Sequence, residues 1–179
     1  MGIKGYLSYL TSRFPNIKCN RPRRPEILCI DVNTMLHETC HRSTDREKFK
    51  KELFNRFDQL VKRGQPQKLA IFTDGQAVLA KADLQIKRRS KHLYEPPSVS
   101  IDSLNLTQAT PFMDFVDEII TEYLAKLKDI ETFYSSSKQP NEGELKMFDW
   151  LRAEDRFFRD IWIVGSDSDL VVLCLLNTP

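Results

Sequence analysis

The sequence predicts an α/β fold with a doubly wound, mostly parallel sheet and helices on both faces. Three short apolar segments, at residues 27–30, 69–72 and 161–164, are each followed within three residues by an aspartate. Helical patterns lie between these segments along the chain. Continuously apolar strands that alternate with helices are typical of a parallel sheet that is buried on both faces.

The individual elements follow from their apolar spacing. The predicted strands are residues 27–30, 69–72, 129–134 and 161–164. The predicted helices are residues 45–63, 76–93, 111–128 and 143–156. In residues 111–128, for example, apolar side chains recur every three or four positions, as one buried face of a helix requires. The last apolar segment, residues 170–176, is compatible with either a helix or a strand.

Composition bounds the class of protein. A chain of 179 residues, 41% of them apolar, is long enough for one well-packed domain. Its formal net charge of +2 does not by itself indicate a nucleic-acid partner. No run approaches the ~20 apolar residues of a membrane span, and no secretory signal is recognisable, so we expect an intracellular protein without a membrane partner. The cytoplasm is the expected location, with the nucleus as the alternative, and four cysteines without a CxxC pair predict reduced thiols.

Carboxylates gather where the predicted strands end. In doubly wound sheets, ligands bind outside the carboxyl ends of the strands. Such a cluster is costly in repulsion unless hard cations neutralise it, and oxygen ligands suit magnesium. We therefore predict a site for two Mg²⁺ or Mn²⁺ ions that hydrolyses phosphodiester bonds, although any one of these acids alone could equally be a helix cap or a solvated charge. The six acids are Asp31, Asp74, Glu142, Glu144, Asp167 and Asp169.

A basic face is predicted on the helix that follows Asp74. Lys81, Gln85, Arg88 and Arg89 are spaced so that they share one side of a helix over residues 76–93. Guanidinium and ammonium groups bind phosphate oxygens through charge-assisted hydrogen bonds. From the helix alone a solvated basic face is the more common explanation, but its position after an acid-ended strand favours a terminal-phosphate site.

Several stretches together resemble the N-terminal region of the Xrn family of 5′-to-3′ exoribonucleases. The opening of the chain is similar to that family's N-terminus, and the segment from Ile30 to His37 resembles its first acidic motif. The segment from Thr73 through the basic helix resembles the second. The remaining similar segments, in the family's order, are Thr107, residues 110–113, residues 142–146 and residues 165–170.

The resemblance implies a fold related to PIN and flap-endonuclease nucleases. It also implies hydrolysis of RNA that carries a 5′ monophosphate, by a two-metal-ion mechanism, in RNA degradation. The six acids would hold the ions, the four polar residues of the basic helix would bind the 5′ phosphate, and His37 would stack on the first base. It further implies one nuclease domain over residues 1–179 that lacks the C-terminal part of the family's catalytic core, so that a second chain completing the core is one expectation.

Three rival functions remain open. One is a non-catalytic or partner-dependent module that binds RNA 5′ ends, and another is a structure-specific DNA nuclease of the flap type. The third comes from His37, Glu38 and His41, which fit the H-E-x-x-H pattern of zinc proteases. A pattern this short arises by chance, and we expect no zinc.

Overall fold

The computed structural model describes residues 5–17, 24–76, 100–154, 158 and 160–177. Its sheet has four parallel strands in the order β3-β2-β1-β4. The strands are β1 (Ile27–Asp31), β2 (Lys68–Phe72), β3 (Glu131–Ser135) and β4 (Ile161–Val164). Since β1 lies in the middle and the chain winds outward from it in both directions, the predicted doubly wound parallel sheet is confirmed.

Helices precede and connect these strands, together with short 3-10 turns at Pro15–Ile17 and Ser103–Asn105. The helices are α1 (Tyr6–Arg13), α2 (Asn33–Arg42), α3 (Arg46–Gly64), α4 (Pro111–Ala125), α5 (Gly143–Ala153) and α6 (Asp169–Asn177). Two of them begin at side-chain caps: Asp45 accepts a hydrogen bond from the Lys48 N–H, and Thr110 accepts one from the Met113 N–H, just before Pro111 in the first turn.

The two faces of the sheet bury different residues of the same strands. On one face Leu28, Ile30, Leu69 and Ile71 pack in a cluster that includes apolar side chains of α2, α3 and α4. On the other face Ile27, Cys29, Ala70 and Phe72 pack with Met147 of α5. The alternation follows from the two-residue period of strand side chains, and burial of both sets explains why β1 and β2 read as unbroken apolar runs.

Strand register aligns the carboxyl ends of the sheet. Asp31 pairs with Phe72 and Phe72 with Ser135, while Ile30 pairs with Val164. The loops that leave β1, β2, β3 and β4 therefore all start from one edge. Each of the predicted acids outside β1 lies in, or just after, one of these loops.

Most predicted boundaries are confirmed to within a few residues. The helix predicted over residues 111–128 ends at Ala125, the one over 143–156 ends at Ala153, and the ambiguous segment 170–176 belongs to helix α6. The strand predicted over 129–134 begins only at Glu131, because Asp129 and Ile130 precede the paired residues. The predicted basic helix over residues 76–93 lies almost entirely outside the described residues.

Three of the four cysteines lie in the described residues. Cys29 and Cys40 are buried and free, and Cys174 is half-buried and free. Burial raises the pKa of both Cys29 and Cys40 to about 12, so these thiols stay protonated and unreactive near neutral pH. Within the described parts of the chain, no helix is both long and apolar enough to cross a bilayer.

Candidate active site

Asn33 connects the two strand-end aspartates. It is the first residue of α2, two residues after the last residue of β1, and its side-chain amide donates to Asp31 Oδ1 at 2.7 Å. Its amide oxygen accepts from the backbone N–H of Asp74 at 3.0 Å. Because an amide can donate and accept at once, one side chain fixes the end of β1 against the loop after β2. This role was not predicted, and the only sequence signal for it is an amide residue two positions after a strand-ending acid.

The first turn of α5 meets Asp74. The backbone N–H of Gly143 donates to Asp74 Oδ1 at 2.7 Å, so an unpaired donor at a helix N-terminus binds the carboxylate. A Cβ at Gly143 would lie 3.1 Å from Asn33 Nδ2 and 3.2 Å from Asp31 Oδ1. The absence of a side chain at Gly143 therefore allows residues 142–144, which we call the E-G-E segment, to approach both aspartates closely. This approach brings Glu142 and Glu144 to the edge of the sheet.

Electrostatic repulsion within this group is strong. Burial, then the charges of Asp74 and Glu144, raise the pKa of Asp31 to about 7, against hydrogen bonds from Asn33 that lower it. Burial also raises the pKa of Asp74, as does the charge of Glu142, while the Gly143 N–H opposes the change. Asp31 and Asp74 are thus two partly buried carboxylates whose charged forms are disfavoured, and a bound cation would stabilise those charged forms. We call Asp31, Asp74, Glu142 and Glu144 the acidic cluster.

The fit of this cluster to a divalent cation is partial. Its donors are hard carboxylate oxygens, the type that Mg²⁺ prefers, and their mutual repulsion would be relieved by a cation. Among the residues that the structure describes, however, no three Asp, Glu, His or Cys side chains are already grouped closely enough to hold one ion. The set therefore fits a metal by chemistry and charge, but it is not a preformed cage.

Asp167 and Asp169 approach the same edge from β4. Ser166 Oγ donates to Thr34 Oγ1 at 2.6 Å, and a Cβ at Gly165 would lie 3.5 Å from Asp31 Cβ. The loop that carries Asp167 therefore runs beside β1 and the start of α2, and Asp169 opens helix α6. The loop after β4 thus reaches the same edge of the sheet as the acidic cluster, and the participation of Asp167 and Asp169 in the site is proposed below.

The loops after β2 and β3 are locked together. Gly75 N–H donates to the Asn141 carbonyl at 2.9 Å, and Asn141 N–H donates back to the Gln76 carbonyl at 3.2 Å. A Cβ at Gly75 would lie only 1.6 Å from the Gln139 carbonyl oxygen, so no other residue fits without movement of the loop. The loop that carries Asp74 is therefore joined by hydrogen bonds and close packing to the loop that leads to the E-G-E segment.

Lys146 of α5 binds the loop after β3. Its buried ammonium lies 2.8 Å from the Ser136 carbonyl oxygen, and 3.4 and 3.5 Å from those of Gln139 and Ser135. Burial lowers the pKa of Lys146 to about 8, while the charges of Asp74 and Asp117 act in the opposite direction. Because its ammonium donates to these backbone carbonyls, Lys146 holds residues 135–139 in place.

The predicted substrate-binding residues divide into described and undescribed ones. His37 is exposed on α2, the helix that begins at the acidic cluster. Lys81, Gln85, Arg88 and Arg89 lie outside the described residues, so the phosphate-binding face stays a prediction. In the H-E-x-x-H segment, Glu38 pairs with Arg56 at 2.8 Å, and within the described chain no third ligand accompanies the two histidines.

Solved structures with the same arrangement define the class of fold. The catalytic core of Rad2 in complex with a DNA substrate aligns with 94% of this chain and 48% of its own length, with a TM-score of 0.57 and 17% identity. The T5 D15 protein co-crystallised with metal ions aligns with 80% of this chain and 49% of its own, with a TM-score of 0.52 and 13% identity. The chain has the flap-endonuclease-like α/β fold that its sequence predicted.

The family is narrower than the fold. Residues 1–178 match the family described as XRN 5′-3′ exonuclease N-terminus, and the chain belongs to this family. It is 26% identical to 5′-3′ exoribonuclease 1 of Schizosaccharomyces pombe, over 99% of this chain and 16% of that protein. It is also 26% identical to a 5′-3′ exoribonuclease 2 of Cryptococcus neoformans, over 83% of this chain and 17% of that protein. The chain spans about one sixth of the length of these relatives.

Proposed function

We propose that this chain is a metal-dependent nuclease that removes nucleotides from RNA with a 5′ monophosphate, starting at that end. The observation that carries the proposal is the acidic cluster at the carboxyl edge of the sheet, in a chain of the XRN exonuclease family. Burial and the charges of neighbouring carboxylates raise the pKa of both Asp31 and Asp74, so their charged forms are disfavoured in the absence of a counter-charge. A divalent cation supplies that counter-charge.

The proposed roles combine the pattern of the family with the contacts around Asp31 and Asp74. Asp31, Asp74, Glu142, Glu144, Asp167 and Asp169 would hold Mg²⁺ or Mn²⁺, and two ions would match the number of acids. Bound there, such ions lower the pKa of a water and stabilise the leaving oxygen of an in-line displacement. Asn33 holds Asp31 and the backbone of Asp74 in fixed positions, and the Gly143 N–H orients the Asp74 carboxylate.

Recognition of the RNA end is proposed for residues on either side of this edge. His37 lies exposed on α2 and would stack on the first base. Lys81, Gln85, Arg88 and Arg89, which follow Asp74 closely in the sequence, would surround the 5′ phosphate. A compact pocket of this kind would favour a monophosphate over a triphosphate or a hydroxyl.

A second candidate is a module that binds RNA 5′ ends without cleaving them, or cleaves only with a partner chain. It is favoured by one observation: within the described residues no three acids are already grouped to hold an ion. Either candidate would act inside the cell, and we propose the cytoplasm as the site of action.

The deciding experiment uses the purified chain with 3′-labelled RNA that bears a 5′ monophosphate, triphosphate or hydroxyl, with and without Mg²⁺. We expect Mg²⁺-dependent shortening of the monophosphate RNA from its 5′ end. The test variant is Asp74→Asn, and Asp129→Asn is its matched control, since Asp129 precedes β3 at the opposite edge of the sheet. Monophosphate-selective binding without shortening would support the binding module. Cleavage of branched DNA in preference to RNA would support the flap-type nuclease instead.

A further inference from the structure

A buried polar network lies behind the acidic cluster, on the α4 side of the sheet. At its centre is Asp117 of α4, whose side chain is almost inaccessible, with the residue 8% exposed. Asp117 accepts hydrogen bonds from the Tyr134 hydroxyl, from Ser137 Oγ at 2.7 Å and from the Ser137 N–H at 3.2 Å. Three donors satisfy this carboxylate, as a buried charge requires.

The direction of the hydrogen bonds can be assigned from the chemistry of the groups. The Tyr134 hydroxyl has one hydrogen, and it donates this hydrogen in a bond to the Asp117 carboxylate, which can only accept. Thr73 Oγ1, 3.1 Å from the same hydroxyl oxygen, must then donate to it. Burial and the adjacent carboxylate raise the pKa of Tyr134 far above its ordinary value, so the hydroxyl keeps its hydrogen at every physiological pH.

Each end of this hydrogen-bonded network lies in a loop next to the acidic cluster. Thr73 immediately precedes Asp74, and its backbone N–H donates to the Ser135 carbonyl at 3.0 Å. Ser137 lies in the loop after β3, which Lys146 holds from its carbonyl side. The loop after β3 is therefore bound on two sides. The Asp117 carboxylate accepts hydrogen bonds from the Ser137 N–H and hydroxyl, and the Lys146 ammonium donates to backbone carbonyls of the same loop.

We propose that Tyr134 and Asp117 are positioning residues that set the separation between Asp74 and the E-G-E segment, and through it the affinity of the acidic cluster for a divalent cation. This inference rests on the proposed function, because it assumes that the cluster binds a cation. A hydrogen-bonded network that ends on a charge is stiffer than isolated contacts, since each bond polarises the next. Groups that hydrogen-bond directly to metal ligands typically change metal affinity by roughly ten- to a hundredfold when they are removed. Tyr134 acts one residue further away, through Thr73, so we expect the lower end of that range.

The chain provides a matched control for this idea. Tyr123, also buried and packed in the core, donates its hydroxyl to Asp58 at 3.0 Å on the α3 side. Tyr123→Phe therefore removes the same kind of tyrosine–aspartate bond, and its partner, Asp58, lies on α3 rather than in a loop of the acidic cluster. Ser137→Ala provides a second, milder variant that breaks the Asp117 network at its other end.

Direct binding of Mn²⁺, followed by the loss of the free-ion EPR signal in the absence of RNA, tests the proposal. Tyr134→Phe is expected to weaken binding by roughly tenfold, Ser137→Ala by a smaller factor in the same direction, and Tyr123→Phe not at all. Equal weakening of Mn²⁺ binding in Tyr134→Phe and Tyr123→Phe would mean that the network contributes only to the general stability of the fold, and it would overturn the inference. Unchanged binding in both Tyr134→Phe and Ser137→Ala would overturn it as well.

Amide hydrogen exchange separates this inference from the proposed function. The amides of Gly75, Asn141 and Gly143 join the two loops to each other and to Asp74. In Tyr134→Phe they are expected to exchange about tenfold faster, while the amides of β1 keep their wild-type rates. If the wild-type chain binds no Mn²⁺ but these three amides still respond to Tyr134→Phe alone, the metal site fails and the positioning role stands. Uniform acceleration over the whole sheet, or none at the three amides, refutes the positioning role whether or not metal binds.

Discussion

Asp31→Asn is expected to stabilise the metal-free protein, and to do so only above acidic pH. In the folded chain burial and the charges of Asp74 and Glu144 raise the pKa of Asp31 from 3.8 to about 7. Below about pH 4 the carboxyl is protonated in both the folded and the unfolded chain, and it has no effect on the balance. Between pH 4 and 7 the unfolded chain releases the proton while the folded chain keeps it, so the free energy of unfolding falls as the pH rises.

The size of the effect follows from the same pKa. At about 1.4 kcal/mol for each pKa unit, a change from 3.8 to about 7 corresponds to ~4 kcal/mol, reached near pH 7 and constant above it. Asparagine keeps an oxygen to accept the two Asn33 hydrogen bonds, at 2.7 and 3.3 Å, and carries no charge. The substitution should therefore remove this pH-dependent loss without breaking the local structure.

Urea unfolding of both proteins at pH 4 and pH 8, in the presence of EDTA, measures the difference. We expect nearly equal stability at pH 4 and a gain of up to ~4 kcal/mol for Asp31→Asn at pH 8, which is a higher melting temperature by ~10 °C in a domain of this size. Mg²⁺ should then stabilise the wild type more than the variant. A gain of the same size at both pH values would show that repulsion within the acidic cluster is not the cause, and a loss of stability at pH 8 would refute the reasoning.

Further predictions concern the proposed chemistry. Asp74→Asn and Glu144→Gln should each abolish Mg²⁺-dependent RNA shortening while circular dichroism shows an unchanged fold, and wild-type rates in both would remove the acidic cluster as the active site. His37→Ala should weaken binding of the first nucleotide by ~1–3 kcal/mol, as expected for loss of base stacking. His41→Ala should leave RNA binding and cleavage unchanged. Zinc analysis of the purified protein should find no bound zinc. Arg88→Ala should lower affinity for monophosphate RNA by roughly ten- to a hundredfold and scarcely affect hydroxyl-ended RNA, and an equal loss for both would indicate a general basic surface rather than a phosphate pocket.

Two features of the site were beyond the reach of sequence patterns. Asn33 binds both strand-end aspartates, and Asp117 ties α4 to the loop after β3, yet neither residue follows a periodicity that marks it. Asp117 falls within a helix whose polar residues otherwise read as solvated positions. Its burial depends on contacts with β3, which is distant in the sequence, and a one-dimensional pattern carries no information on such contacts.

The sequence by itself determined the fold class, the four strands, the helices α3, α4 and α5, and which acids stand at strand ends, whereas α1 and α2 were not predicted. Burial on both faces of a parallel sheet imposes unbroken apolar strands, and local composition records them. Only the tertiary structure decided how the strand ends combine. The register of β1, β2 and β3 brings Asp31, Asp74 and the E-G-E segment to one edge, and the absence of a side chain at Gly75 and Gly143 lets their loops approach. The resulting pKa of Asp31 is a property of this assembly, since it depends on burial and on charges that lie far apart in the sequence and close together only in the folded chain.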